Sequence, residues 1–382
     1  MYNLKAIYTE HSCLKLCKKM LKIIFNHYIV SRKGWKNKMQ HKTALDDLIE
    51  KEYGNTTGIV IVKNGACIHE RYFQGWTEKD TVHVASVTKS VVSVLYGIAA
   101  DMGYIKDLDK PVLDYFPDYQ IGKRRQNVRG ITVRNMLTMT APSRYRTEPY
   151  VKFFTCGDWM RFALDSLGGK GRIGDFTYSP IVASHVLSGI FAHATGQSLF
   201  DFATTHLFVP LDISVGRTLM FHSKEEQMAF SKAKDMRGWV VDEQGFNTAG
   251  WGLTLSPRDM AKIGQLYLNG GTWNGKRIVS PEWIAESTEV QSRWGNLSYG
   301  YLWWVIEPQQ HSFAALGDGG NVIYVNPKEK LVVAITATFV PKAKDRMSLI
   351  KGQIEPMVCD THGKEEMGTE TAYRDSDPFE NK

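Results

Sequence analysis

Ser86-Val87-Thr88-Lys89 sets a hydroxyl and an amine three residues apart at the head of a long apolar run. On a helix that spacing brings both side chains to one face. A neutral amine beside the hydroxyl can take its proton and turn a weak nucleophile into a useful one. The apolar residues through Ala100 cover most of the helical circumference, so the helix is expected to be buried. Its polar exceptions, Ser86, Lys89, Ser90 and Ser93, fall mainly on one stripe. Burying an ammonium without a partner is costly, and the usual response is a depressed pKa. The opposite reading is a lysine whose stem packs while its amine reaches the surface. Ser86, at the helix N-terminus, would also aim its backbone N–H at a developing oxyanion.

The spacing alone does not select this pair, because Ser12–Lys15, Ser231–Lys234 and Ser348–Lys351 repeat it. Context separates it: strand signals upstream, then a long buried helix that opens at the serine. Val84-Ala85-Ser86-Val87-Thr88-Lys89-Ser90 resembles the nucleophile motif of the serine β-lactamase and penicillin-binding-protein superfamily. The likeness is to its class C-like branch, which includes esterases and 6-aminohexanoate-dimer hydrolase. Ile131–Thr140, Ala249–Ala261, Asn269-Gly270-Gly271 and Ser280-Pro281-Glu282-Trp283 are similar to family segments in the same order, and the resemblance spans about 55–340.

That resemblance implies a metal-independent serine hydrolase with no cofactor. Ser86 would form an acyl-enzyme with a small-molecule amide or ester, and Lys89 and Tyr178 would move the protons. The family's second motif, Tyr-x-Asn, falls on Tyr178-Ser179-Pro180, where Pro180 cannot supply the side-chain amide. Without the family, Tyr178 reads equally as a turn aromatic. The third motif falls on Leu316-Gly317-Asp318-Gly319-Gly320-Asn321, where no Lys or His stands. The backbone N–H of Asp318 is the candidate second oxyanion donor beside that of Ser86; the rival reading is a glycine-rich hairpin turn. A cation in the third motif would favour a substrate carboxylate and an aspartate does not. β-Lactamase or D-Ala-D-Ala carboxypeptidase activity is therefore the alternative, as is a catalytically idle, peptide-binding member of the fold.

The elements that must position these residues divide along the chain. Two β-rich runs flank Asn64-Gly65, the strongest short-range hairpin signal. Helical periodicity dominates about 86–268, and strands return at 299–306, 312–316, 321–325 and 331–338. A helix is expected over 342–357, with Met347, Ile350, Ile354 and Met357 at helical spacing. The expected fold is α+β and β-lactamase/transpeptidase-like. An antiparallel sheet from the N- and C-terminal segments is flanked by helices, with a mostly helical region inserted.

The 382 residues carry a net charge of +7, but ten Lys/Arg against Glu10 give residues 1–42 a net of +9. Residues 360–382 carry −4, which leaves +2 on 43–359. The basic excess belongs to one terminal segment, so nucleic-acid binding is not expected. Residues 1–42 read as a basic extension, 43–357 as the hydrolase domain and 358–382 as an acidic tail. Lys15, Lys18, Lys19 and Lys22 line one helical face, so weak membrane-surface contact through residues 14–30 is an alternative to the expected cytoplasmic location. Five cysteines without a Cys-x-x-Cys pair argue against a disulfide or zinc framework. His83 precedes Ser86 by three residues, but no Gly-x-Ser-x-Gly elbow occurs, and it reads as structural. His185 and His193 form no helical two-His metal motif, and Gly270–Arg277 reads as a turn rather than a phosphate loop.

Overall fold

The computed structural model describes residues 42–122, 126–221, 224–230, 232–234 and 236–359. Most of the basic extension, including residues 14–30, and nearly all of the acidic tail lie outside the described residues.

Helix α1 (Ala44–Glu52) opens on a capping box in which Thr43 and Asp46 satisfy each other's backbone N–H. Strands β1 (Thr56–Lys63) and β2 (Ala66–Tyr72) follow, joined at Asn64 and Gly65, both with positive φ as the hairpin turn demands. A two-residue strand, β3 (Val82–His83), leads into α2 (Val87–Asp101), every residue of which is buried from Val87 to Ala99. Burial of Val91, Val94, Leu95 and Ile98 contributes about 1.5–3 kcal/mol each. The helical region contains α3 (Val182–Thr195) and closes with β4 (Thr254–Leu255) and α4 (Pro257–Leu268), the latter capped by a Ser256–Asp259 box.

The remaining strands are β5 (Ser292–Trp294), β6 (Leu297–Tyr299), β7 (Trp304–Glu307), β8 (Ser312–Gly317), β9 (Asn321–Asn326) and β10 (Leu331–Ala337). They join the N-terminal hairpin in one eight-stranded antiparallel sheet of order β2-β1-β10-β9-β8-β7-β6-β5. The expected union of the two chain ends in one sheet is what forms.

Alternation along β1 explains the layering. Ile59 and Ile61 face Leu45 and Ile49 of α1 and Leu349, Ile350 and Ile354 of the C-terminal helical stretch. Val60 and Val62 point the other way, into the core shared with α2, α3 and α4. The sheet is thus covered on both faces.

Two details differ from the sequence reading. The single strand expected over 299–306 is two strands separated at Gly300–Trp303. There Tyr301 N–H donates to Ser287 O and Leu302 N–H to Leu137 O, so the backbone pairs with neighbouring segments instead of the sheet. The C-terminal helix runs over 346–359 and contains a π turn at Ile350–Ile354.

Candidate active site

Ser86 is the N-cap of α2, yet its hydroxyl caps nothing. Its oxygen stands instead 2.9 Å from Lys89 Nζ. The residue before it, Ala85, has φ of +49°, a left-handed conformation that costs a side-chain-bearing residue about 1–2 kcal/mol. Thr88 Oγ1 holds that turn by donating to Ala85 O at 2.7 Å and accepting from Leu253 N–H at 3.3 Å.

Lys89 is 1% exposed, so its amine does not reach the surface. Nζ is also within 2.7 Å of Pro180 O and 2.9 Å of Gly250 O. Each carbonyl is delivered by a fixed segment. The 250–255 stretch is tied to 82–88 by the β3–β4 pair, by Val84 N–H donating to Leu253 O, and by Gly252 N–H donating to His83 Nε2 at 3.0 Å. Burial lowers the His83 pKa to about 4, so this imidazole is a neutral acceptor. Gly250 is confined by its neighbours: a Cβ there would lie 2.5 Å from Pro180 O. The Pro180 carbonyl thus packs against the Cα of Gly250, the residue that supplies the second carbonyl.

Burial lowers the Lys89 pKa from 10.5 to about 7, opposed by the negative charges of Asp318 and Glu148. Tyr178 completes the group. Its ring centroid is 5.4 Å from Nζ. Burial pushes its phenol up to about 12, against a hydrogen bond with the Ser86 side chain. Phe176 stacks on Tyr178 at 6.4 Å and Trp304 leans on it at 5.7 Å.

The loop carrying Tyr178 is held by Glu148, a residue that sequence reasoning missed. Its carboxylate accepts from Ser179 Oγ at 3.1 Å and from the N–H groups of Ile181 (2.9 Å) and Val182. Helix α3 has no cap from its own N-cap residue, Ile181, so Glu148 serves in its place. No local spacing could have pointed to it. Tyr145 stacks on Phe162 at 6.1 Å, while Tyr299, Tyr301 and Trp303 are core.

The glycine-rich segment follows β8 and turns back into β9 beside Ser86. A Cβ on Gly317 would lie 2.3 Å from Val84 O and 3.3 Å from Ser86 N, so only glycine lets this strand end approach the backbone of Ser86. Asp318 is exposed, and its charge acts on both Lys89 and Tyr178. Among the described residues, neither Ser86 N–H nor Asp318 N–H donates to a backbone acceptor. Ser86, Lys89, Tyr178 and the Asp318 turn thus converge on one place. Among the described residues, no group of three or more His, Cys, Asp or Glu side chains could hold a metal ion.

A two-faced antiparallel sheet with a helical insertion, and a Ser-x-x-Lys pair heading the buried helix between them, define a β-lactamase-fold hydrolase. The chain belongs to the beta-lactamase family, whose model matches residues 45–353. It is similar to the 6-aminohexanoate-dimer hydrolase of Paenarthrobacter ureafaciens, at 24% identity over 321 residues, 76% of this chain and 75% of that one. Its fold is similar to that of a penicillin-binding protein from Bacillus halodurans, with a TM-score of 0.61 and 13% identity over 82% of this chain and 99% of the other. A family VIII carboxylesterase aligns with a TM-score of 0.57 and 18% identity over 78% and 90% of the two chains.

Proposed function

We propose that the protein hydrolyses a small-molecule amide or ester through an acyl-enzyme on Ser86. The observation that carries this is the set of three oxygens around Lys89 Nζ. A neutral amine has two N–H donors and one lone pair. Pro180 O and Gly250 O can only accept, so they take the two donors and the lone pair is left for the Ser86 O–H. Burial favours that neutral form, and the phenol of Tyr178 stays protonated at neutral pH.

In this reading Ser86 Oγ bonds to the substrate carbonyl carbon while its proton passes to Lys89 Nζ. The carbonyl oxygen becomes an oxyanion held by the N–H groups of Ser86 and Asp318. Collapse breaks the C–N or C–O bond, and the leaving group takes a proton from Tyr178, which is replenished from Lys89. Water then attacks the acyl carbon, gives a proton to the same relay, and the proton returned to Ser86 Oγ restores the enzyme. Pro180 contributes through its carbonyl, not through a side-chain amide. Asp318 disfavours a substrate carboxylate at the third motif, which is the argument for an uncharged ester or amide over a β-lactam or a cell-wall peptide.

Ser86→Ala is expected to abolish turnover of a chromogenic short-chain ester with the thermal transition intact. A fluorophosphonate should add one adduct, on Ser86, in the parent protein. Full activity in the variant would exclude this site, and an unlabelled parent would favour a binding protein. A panel of a cephalosporin, a linear amide and a short ester then ranks the substrate classes.

A further inference from the structure

The turn that carries Asp318 is held from the far side of the sheet. Its three successive carbonyls are all engaged. Gly317 O accepts from Gly320 N–H at 3.2 Å, Asp318 O from Asn321 Nδ2 at 3.0 Å, and Gly319 O from Asn55 Nδ2 at 2.6 Å. Asn55 Nδ2 also donates to Thr338 O at 2.7 Å, so one amide joins the turn to the segment after β10.

Asn55 is in turn fixed by Arg346, whose Nη2 donates to its Oδ1 at 2.6 Å and lies 3.2 Å from Thr56 Oγ1. Nη1 donates to Lys344 O at 2.7 Å. Arg346 is 2% exposed, makes no salt bridge among the described residues, and rests on the Tyr53 ring at 4.8 Å. Its guanidinium packs directly under the turn: Cζ and Nε are 2.9 and 3.0 Å from where a Cβ on Gly320 would be. A buried cation normally needs a carboxylate partner, and this one is met by neutral oxygens and an aromatic face. Among the described residues its Nε has no hydrogen-bond acceptor. Its hydrogen bonds go to neutral groups, and the neighbouring Asp345 carboxylate acts on it only through its charge, without a salt bridge, so no ion pair neutralises the guanidinium beneath the backbone that faces Ser86.

We infer that Asn55 and Arg346 are positioning residues for the hydrolysis. They lock the 317–321 turn so that the Asp318 N–H is aimed at the oxyanion, and the Arg346 charge favours that oxyanion over the neutral carbonyl. The inference rests on the proposed reading of Ser86 and Asp318. Neither residue touches substrate. Because a planar peptide fixes its N–H opposite its own C=O, holding the carbonyls of this turn fixes the direction of the donor. A displacement of about 1 Å in such a donor costs on the order of 10²-fold in rate.

The test uses the full chain, a short-chain p-nitrophenyl ester, and phenylboronic acid as a mimic of the tetrahedral adduct. Asn55→Ala is expected to lower kcat and boronate affinity together, roughly 10- to 100-fold, with KM within about twofold. Arg346→Lys, which keeps the charge, is expected to recover part of what Arg346→Gln loses; if Arg346→Gln does not fold, Asn55→Ala decides alone. A merely structural role would lower the melting temperature and leave the ratio of boronate to substrate affinity unchanged, which would overturn the inference. So would parent-like kcat and boronate affinity in Asn55→Ala. Loss of boronate binding in Ser86→Ala, read as the disappearance of the thermal shift that boronate gives the parent protein, tests the nucleophile independently; if the parent protein binds no boronate, the reading of Ser86 fails and the inference that rests on it falls with it.

Discussion

Replacing Lys89 by methionine should stabilise the protein in mild acid and destabilise it in mild base. The native amine has its pKa lowered from 10.5 to about 7, chiefly by burial. In the unfolded chain it returns to 10.5, so between these values the unfolded state binds more protons and stability rises with pH. Each pH unit of displacement is worth about 1.4 kcal/mol. The penalty carried by the parent protein is therefore about 5 kcal/mol at pH 6 and about 1 kcal/mol at pH 10. Methionine is unbranched, fills nearly the same volume and does not titrate. It loses three hydrogen bonds, worth about 1 kcal/mol each at any pH. The variant should then be more stable by about 2 kcal/mol at pH 6, less stable by about 2 kcal/mol at pH 10, and cross the parent near pH 8. Urea unfolding followed by tryptophan fluorescence at unit steps of pH measures the difference directly. Two stability curves that run parallel from pH 6 to 10 would mean that Lys89 carries its charge in the folded protein, and the neutral-amine mechanism would have no basis.

On the proposed mechanism the same group sets the activity profile. For an uncharged ester, kcat/KM is expected to rise through a midpoint near pH 7 and level above it, since catalysis needs the unprotonated amine. Asp318→Asn keeps the backbone N–H but removes a charge that favours the ammonium, so the midpoint should move down by about half a pH unit; a midpoint that moves up contradicts the electrostatic assignment. Tyr178→Phe should slow turnover by roughly 10²- to 10⁴-fold while Ser86 still accepts a fluorophosphonate. Parent-like turnover in that variant would remove the phenol from the relay.

What could be read from the sequence and what could not divides along a physical line. The Ser86–Lys89 pair was legible because its geometry is local: three residues on a helix fix it, and the apolar residues around Lys89 announce that the helix is buried. The hairpin at Asn64-Gly65 was legible for the same reason. The strand expected over 299–306 failed because a run of aromatic residues cannot reveal that its backbone finds better acceptors at Ser287 and Leu137. The partners that hold the lysine amine were illegible in a deeper sense. Pro180 O and Gly250 O lie 91 and 161 positions from Lys89, and a carbonyl is the same in every residue. Pro180 shows the consequence. By side chain it is a loss, since it cannot provide the amide of the family's second motif. By backbone it loses only the N–H and keeps the acceptor that Lys89 needs, and its fixed φ helps hold that carbonyl in place. The site is therefore built more from main chain than its motifs suggest, which is why Gly250 and Gly317, residues with no chemistry of their own, are as constrained in the structure as the serine they surround.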